Sequence, residues 1–267
     1  MRRPMLEPPT LVLTDRRQDD DQRLWRAAVR RGWSVVRVRG IQFNRWPIQS
    51  VSQRPAAVYV EPLFAHAVAE KLDARLLDPS PGFLADLPRR HVHREIVLTK
   101  LSEARRCDRP RFVKPPNDKS FVARVYERGD DLPDDLPGDT PVLSADVVAF
   151  DVEHRMFMLD GLVVTSSPYR RFDELSERHE FFAPDDEAAA AQRFAESVVN
   201  DPSVEGLPSA VVLDVGRLEG GPNDTGPSDD ERWAVVEANG AWGSGLYGCD
   251  ADAALDVIAR CVVRRTE

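Results

Sequence analysis

At 267 residues the chain can bury a substantial core, as one large domain or as two or three modest lobes. It is 42% hydrophobic and 30% charged, ordinary values for a globular protein, and its net charge of −9 argues against a general nucleic-acid binder, whose phosphate contacts need a basic surface. No stretch approaches the roughly 18 consecutive apolar residues of a membrane-spanning helix, and Met1 to Pro9 lacks the hydrophobic core of a signal peptide, so the expected location is the cytoplasm. Cys107, Cys249 and Cys261 show no CxxC spacing and no histidine at zinc-ligand distance, which reads as reduced, structural thiols.

The first 90 residues read as a small α/β lobe. An apolar strand at Leu11 to Leu13 runs through the polar segment Asp15 to Asp21 into a helix carrying Leu24, Trp25, Ala28 and Val29 on one face and stopping near Gly32. Strands follow at Ser34 to Val38 and Ala57 to Val60, then a helix at Phe64 to Leu72 and a short fourth strand at Ala74 to Leu77. Strands alternating with helices favour a mostly parallel sheet. No Gly-x-Gly-x-x-Gly follows the first strand, which weakens a dinucleotide-binding reading. The Pro/Gly/Asp-rich segment Asp78 to Pro88 marks a boundary, dividing the chain at 1–90 and 91–267.

Downstream the pattern predicts a helix over His93 to Arg106, a strand at Arg111 to Lys114, a short loop, and a strand at Ser120 to Tyr126. After the acidic, proline-rich run Gly129 to Asp139 come strand-like stretches at Val142 to Phe150, Arg155 to Leu159 and Leu162 to Ser166, the last two joined by the hairpin signal Asp160-Gly161. A helix at Glu187 to Asn200 precedes strands at Ala210 to Val215 and Trp233 to Glu237, separated by the Gly/Asp-rich loop Glu219 to Asp230, whose composition predicts mobility. Ala251 to Val262 is the closing helix. This half reads as antiparallel α+β.

Three oxygen donors stand out. Asp214 ends one apolar strand, and Glu237 and Asn239, two apart, project to the same side of the next. Paired strands would bring all three to one face, as magnesium requires when it is held mainly by its nucleotide. Among the cations, Lys114 ends Phe-Val-Lys-Pro, Lys100 lies on the preceding expected helix, and Lys119 and Ser120 sit in the short loop Pro116 to Ser120. Lysines at strand ends and in a closable loop can neutralise a triphosphate. Glu153 and Arg155 share a face by alternation, with His154 on the other.

In this order the motifs resemble the ATP-grasp family: Lys100, Phe-Val-Lys-Pro, the loop with Lys119 and Ser120, Glu-x-Arg (Glu153, Arg155) before Phe-Met-Leu-Asp-Gly, strand-end Asp214, and Glu-x-Asn (Glu237, Asn239). The resemblance spans about residues 95 to 262, and the run Trp242 to Gly248 looks like that of a compact clade within the family. It implies an α/β N-terminal lobe followed by an ATP-grasp fold with antiparallel sheets, and ATP and Mg2+ as the bound species. Lys100 and Lys114 would hold the α- and β-phosphates, and Lys119 and Ser120 the lid over the γ-phosphate. Asp146 would stand at the adenine edge and Glu153 at the ribose. Arg155 would meet the transferred phosphate, and Asp214, Glu237 and Asn239 would bind magnesium. The lid departs from the family in lacking a glycine-rich composition, and Ala145-Asp146 stands where a glutamate is usual.

The activity implied is a carboxylate–amine ligase releasing ADP and phosphate, acting on small-molecule or peptide substrates. A phosphotransferase on the same fold and a non-catalytic nucleotide-binding module are the alternatives, and a homodimer is left open. Arg170 and Arg171, after Ser-Ser-Pro-Tyr, are candidates to grip an anionic substrate. His91 and His93 lie among arginines without a third ligand, which disfavours a metal pair.

Overall fold

The structure, a computed structural model, describes residues 9–15, 18–39, 56–172, 174–176, 181–219 and 232–265. The loop expected over Glu219 to Asp230 therefore lies, apart from its first residue, outside the described residues.

Strands β1 (Thr10–Thr14), β2 (Ser34–Val38) and β3 (Ala56–Tyr59) pair in parallel in the order β2-β1-β3. Helix α1 (Asp19–Arg30) starts with three aspartates, the sign that suits a helix N-terminus, and buries Leu24, Ala27 and Ala28. Trp25 and Val29, expected on that buried face, are instead 38% and 50% exposed. At about 100° per residue they fall well round the helix from the stripe through 24, 27 and 28.

Helix α2 (Pro62–Lys71) begins with proline, which sacrifices no helical hydrogen bond there, and leads to β4 (Ala74–Leu76). That strand was expected in the N-terminal sheet. It pairs instead, antiparallel, with β14 (Val262–Arg264), because helix α7 (Ala251–Arg260) packs against β3 and returns the chain end beside it. The segment Asp78 to Pro88 holds the one-turn helix α3 (Phe83–Asp86), whose Phe83 and Leu84 join the main core, as does Val92 of α4 (Arg89–Val92).

The helix expected over His93 to Arg106 is not formed. Ile96–Lys100 is strand β5, followed by the single turn α5 (Leu101–Ala104). Ile-Val-Leu-Thr carries three β-branched residues, and a ladder to β8 (Pro141–Ala145) satisfies its backbone. Lys100 thus ends a strand and is not on a helix. With β6 (Arg111–Lys114) and β7 (Arg124–Tyr126) these strands make an antiparallel sheet of order β5-β8-β6-β7.

The largest sheet, order β11-β10-β9-β12-β13, is also antiparallel. It comprises β9 (Phe150–Leu159), β10 (Leu162–Arg171), β11 (Glu174–Leu175), β12 (Ala210–Leu218) and β13 (Trp233–Asn239). Asp160 and Gly161, both at positive φ, make the expected β9–β10 turn. Met156, Met158, Val211 and Leu213 pack with helix α6 (Asp185–Val199) and with Ile96, Leu143 and Ala145 of the four-stranded sheet. Alternation sends Phe157 and Val212 into a second core with α1 and α7. Among the described residues no helix is long and apolar enough to cross a membrane.

Candidate active site

Strand register assembles a charged row. Arg155 of β9 stands opposite Asp214 of β12, and Asp214 opposite Glu237 of β13, while Asn239 stands opposite Val212. Directly opposed residues project from one face. Arg155 donates from Nε to Asp214 Oδ1 at 2.9 Å, from Nη2 to Oδ2 at 2.6 Å, and from Nη1 to the Gly245 carbonyl at 3.0 Å. Lys114, at the end of β6 on the other sheet, donates to Glu237 Oε2 at 2.7 Å, and Glu237 Oε1 lies 4.0 Å from Arg155 Nη2. The Lys114–Glu237 pair therefore joins the two antiparallel sheets.

The electrostatics follow from these contacts. Burial opposes ionisation of Glu237, but the charge and hydrogen bond of Lys114, then Arg155 and Asn239, hold its carboxyl at about 2. Complete burial raises the Asp214 carboxyl above its ordinary value against the pull of Arg155. Burial also works against the Arg155 guanidinium, yet Asp214 more than offsets it and the group stays charged. Two stacked rings flank that cation: its Cζ lies 5.2 Å from the Tyr169 ring and 4.8 Å from the Tyr247 ring. A cation so fixed presents its remaining N–H groups in one direction.

A cleft of about 710 Å³ opens at this row. Lys114, Lys119, Ser120, Arg155, Glu237 and Asn239 line it, so six of the residues singled out from sequence converge. The others stand apart. Lys100 is exposed; through the register Lys100↔Pro141 and Leu143↔Lys114 it shares a sheet face with Lys114, two strands across and two residues along, or about 12 Å. Asp146 accepts from Arg111 Nη1 at 2.5 Å and from the Glu95 amide at 2.9 Å, which occupies both its oxygens away from the cleft. Glu153 is buried and accepts from the Tyr169 hydroxyl, and burial raises its carboxyl. Asp214 is fully buried behind Arg155. Arg170 stands opposite Glu153. Arg171, one residue on, takes the other face and donates to Glu187 Oε1 at 2.6 Å.

Several contributors were given no site role from sequence, the run Trp242 to Gly248 having been noted only for its family likeness. Gly240, Trp242, the run Gly243 to Gly245 and Tyr247 also line the cleft. Trp242 Nε1 donates to Asp78 Oδ1 at 3.0 Å, and Gly240 packs so closely on this pair that a Cβ there would collide with both side chains. The glycine-rich run directly after Asn239 was the available signal, because backbone that must approach a ligand selects glycine. Tyr169 offered none.

Two antiparallel sheets facing each other across this cleft, beside a small α/β lobe, define an ATP-grasp fold. The chain belongs to the ATP-grasp domain family, R2K clade family 2, whose model matches residues 91–257. No curated protein matches it. Among solved structures it is similar to a RimK domain ATP-grasp protein from Sphaerobacter thermophilus DSM 20745, at 15% identity over 95% of this chain and 98% of that one, TM-score 0.51. The ATP-grasp ligase PsnB, complexed with a minimal precursor, is 16% identical over 96% and 100%, TM-score 0.51. N5-carboxyaminoimidazole synthase from Aspergillus clavatus, in complex with ADP, is 13% identical over 96% and 77%, TM-score 0.52. At these identities the likeness is one of fold.

Proposed function

We propose that the chain is an ATP-dependent ligase that activates a carboxylate as an acyl phosphate and passes the acyl group to an amine, releasing ADP and phosphate. The observation that carries this reading is the convergence of Lys114 from one sheet with Arg155, Glu237 and Asn239 from the other on one cleft. Lys114 would compensate phosphate charge, and the loop bearing Lys119 and Ser120 would close over the terminal phosphate and exclude water. Arg155, locked by Asp214 and Gly245, would hold the group being transferred. Lys100 would add to the phosphate contacts through its side chain's reach across the shared sheet face.

The donor set fits magnesium of the kind held mainly by its nucleotide. Glu237 is ionised and 31% exposed at the side chain, and the Asn239 amide also faces the cleft. These two would ligate the ion, with Asp214, whose oxygens are engaged by Arg155, supporting them from behind. Magnesium, when bound, would neutralise charge on the β- and γ-phosphate oxygens. In the first step a carboxylate oxygen bonds to the γ-phosphorus and the bond to the β-phosphate oxygen breaks, leaving ADP. In the second the amine nitrogen bonds to the acyl carbon, the phosphate departs, and the amine proton leaves with it. The fold accommodates PsnB with a precursor and a synthase with a ribonucleotide, so both peptides and small molecules suit as substrates.

Hydroxylamine supplied in place of the amine should trap the activated carboxylate as a hydroxamate, with ADP and free phosphate formed in equal amounts. AMP with pyrophosphate would replace the acyl-phosphate reading with adenylation. Phosphate retained on a stable product would make the protein a kinase.

A further inference from the structure

A second cavity, of about 820 Å³, adjoins the candidate site and shares Pro62, Asp78 and Trp242 with it. It runs between α2 and the β4–β14 ladder, and among the described residues its lining holds His66, Arg75, Arg264 and Arg265 against one acid, Asp78, which already accepts from Trp242. The long-range pairing Arg75↔Val263 is what brings the arginines from residue 75 and from the chain end to one place. This concentration runs against the character of a chain with net charge −9. Arg31 and Arg217, by contrast, meet carboxylates, Asp256 at 2.5 Å and Asp151 at 3.0 Å. Arg75 and Arg265 are exposed and have no carboxylate partner among the described residues. Arg264 donates to the Leu72 carbonyl.

We infer that this groove is a second substrate subsite, which takes the acidic stretch of a peptide whose reactive carboxylate lies in the cleft. The inference rests on the ligase reading of that cleft. The guanidinium fork matches carboxylate geometry in pairs, and three arginines around one cavity suit several closely spaced carboxylates better than a single small anion. An extended peptide advances about 3.3 Å per residue, so adjoining cavities of this size hold a few residues in sequence. The Asp78–Trp242 pair stands where the two spaces meet and would set the boundary between the reacting carboxylate and its acidic neighbours.

The probe is fluorescein-labelled tetraglutamate, titrated with the full chain at low and physiological salt and followed by fluorescence anisotropy. Wild type should bind it, weakening as salt rises. Arg75→Glu/Arg265→Glu should bind at least tenfold more weakly, and Arg75→Gln/Arg265→Gln should fall between. Arg106→Glu/Arg128→Glu, which changes net charge equally at exposed positions in the turns after α5 and β7, should stay within twofold of wild type. Calorimetry with a non-hydrolysable ATP analogue is run on every variant and reports both folding and the state of the cleft. Absence of tetraglutamate binding, equal losses in both Glu variants, or tighter binding of a single-stranded oligonucleotide than of the peptide would each overturn the groove assignment. Nucleotide binding without peptide binding would leave the ligase reading standing, whereas peptide binding without nucleotide binding would remove that reading and keep the groove.

Discussion

His154 and Arg155 are consecutive residues of β9, yet alternation sends them to opposite faces of the five-stranded sheet and into different surroundings. His154 is fully buried, contacts Glu187 through Nε2 at 3.1 Å and meets Trp233 edge-on at 5.6 Å. Burial opposes ionisation of Glu187 too, but His154 and Arg171 hold its carboxyl at about 2, the same position as Glu237. Glu187, however, is only 9% exposed at its side chain and enclosed by cations, while Glu237 is 31% exposed and opens onto the cleft. The two faces carry similar ion-pair chemistry. A depressed carboxyl therefore does not by itself mark a site, and access decides which of the two can meet a ligand.

The largest expected effect separates the stability role of the row from its chemistry. Asp214→Asn removes the counter-charge that Arg155 contacts directly in its buried position and should destabilise the fold by about 3–5 kcal/mol, measured by urea denaturation. A loss below about 1 kcal/mol would mean that the pair is not the buried anchor of this face.

Next in size is turnover. Lys114→Ala should cost about 2–4 kcal/mol in transition-state stabilisation, or roughly 30- to 1,000-fold in kcat/KM, measured as ADP release. Lys71→Ala on α2 and Glu187→Gln on the opposite face should each stay within about threefold of wild type. Equal losses at Lys114 and Glu187 would erase the functional distinction between the two faces.

The closed face should show itself in pH dependence. The Glu187 carboxyl lies at about 2 in the fold against an ordinary 4.5, so its contribution is fully present above 4.5 and is lost as pH falls through 2. Glu187→Gln should lower stability at pH 7 by about 1–2 kcal/mol, allowing for solvent at the helix end, and should flatten the acid limb over that window. An unchanged acid limb, followed by circular dichroism during urea melts, would show that Glu187 carries no such linkage.

The smallest contrast tests the α1 face. Trp25→Gln should change stability by less than about 0.5 kcal/mol, whereas Leu24→Ala should cost about 2–5 kcal/mol. Comparable losses would place Trp25 against the core after all.

Local pattern carried much of this molecule. The alternation of β9 already put Glu153 and Arg155 on one face, Asp160-Gly161 already encoded the hairpin, and Glu237-x-Asn239 already placed two oxygens on one side, because period-2 geometry and turn chemistry act over a few residues. Where two local preferences competed, reading was harder: Ile96 to Lys100 looked helical with its polar continuation, but the β8 ladder captured it. Which members of the charged set meet was beyond any local signal. Asp146 was drawn to Arg111, Arg171 to Glu187 and Lys114 to Glu237 by partners 35, 16 and 123 residues away. Sequence by itself determined which side chains share a strand face, since that depends on the backbone period alone. Only the tertiary structure decided which of them are enclosed and which face the cleft, since burial and pairing depend on register between distant strands.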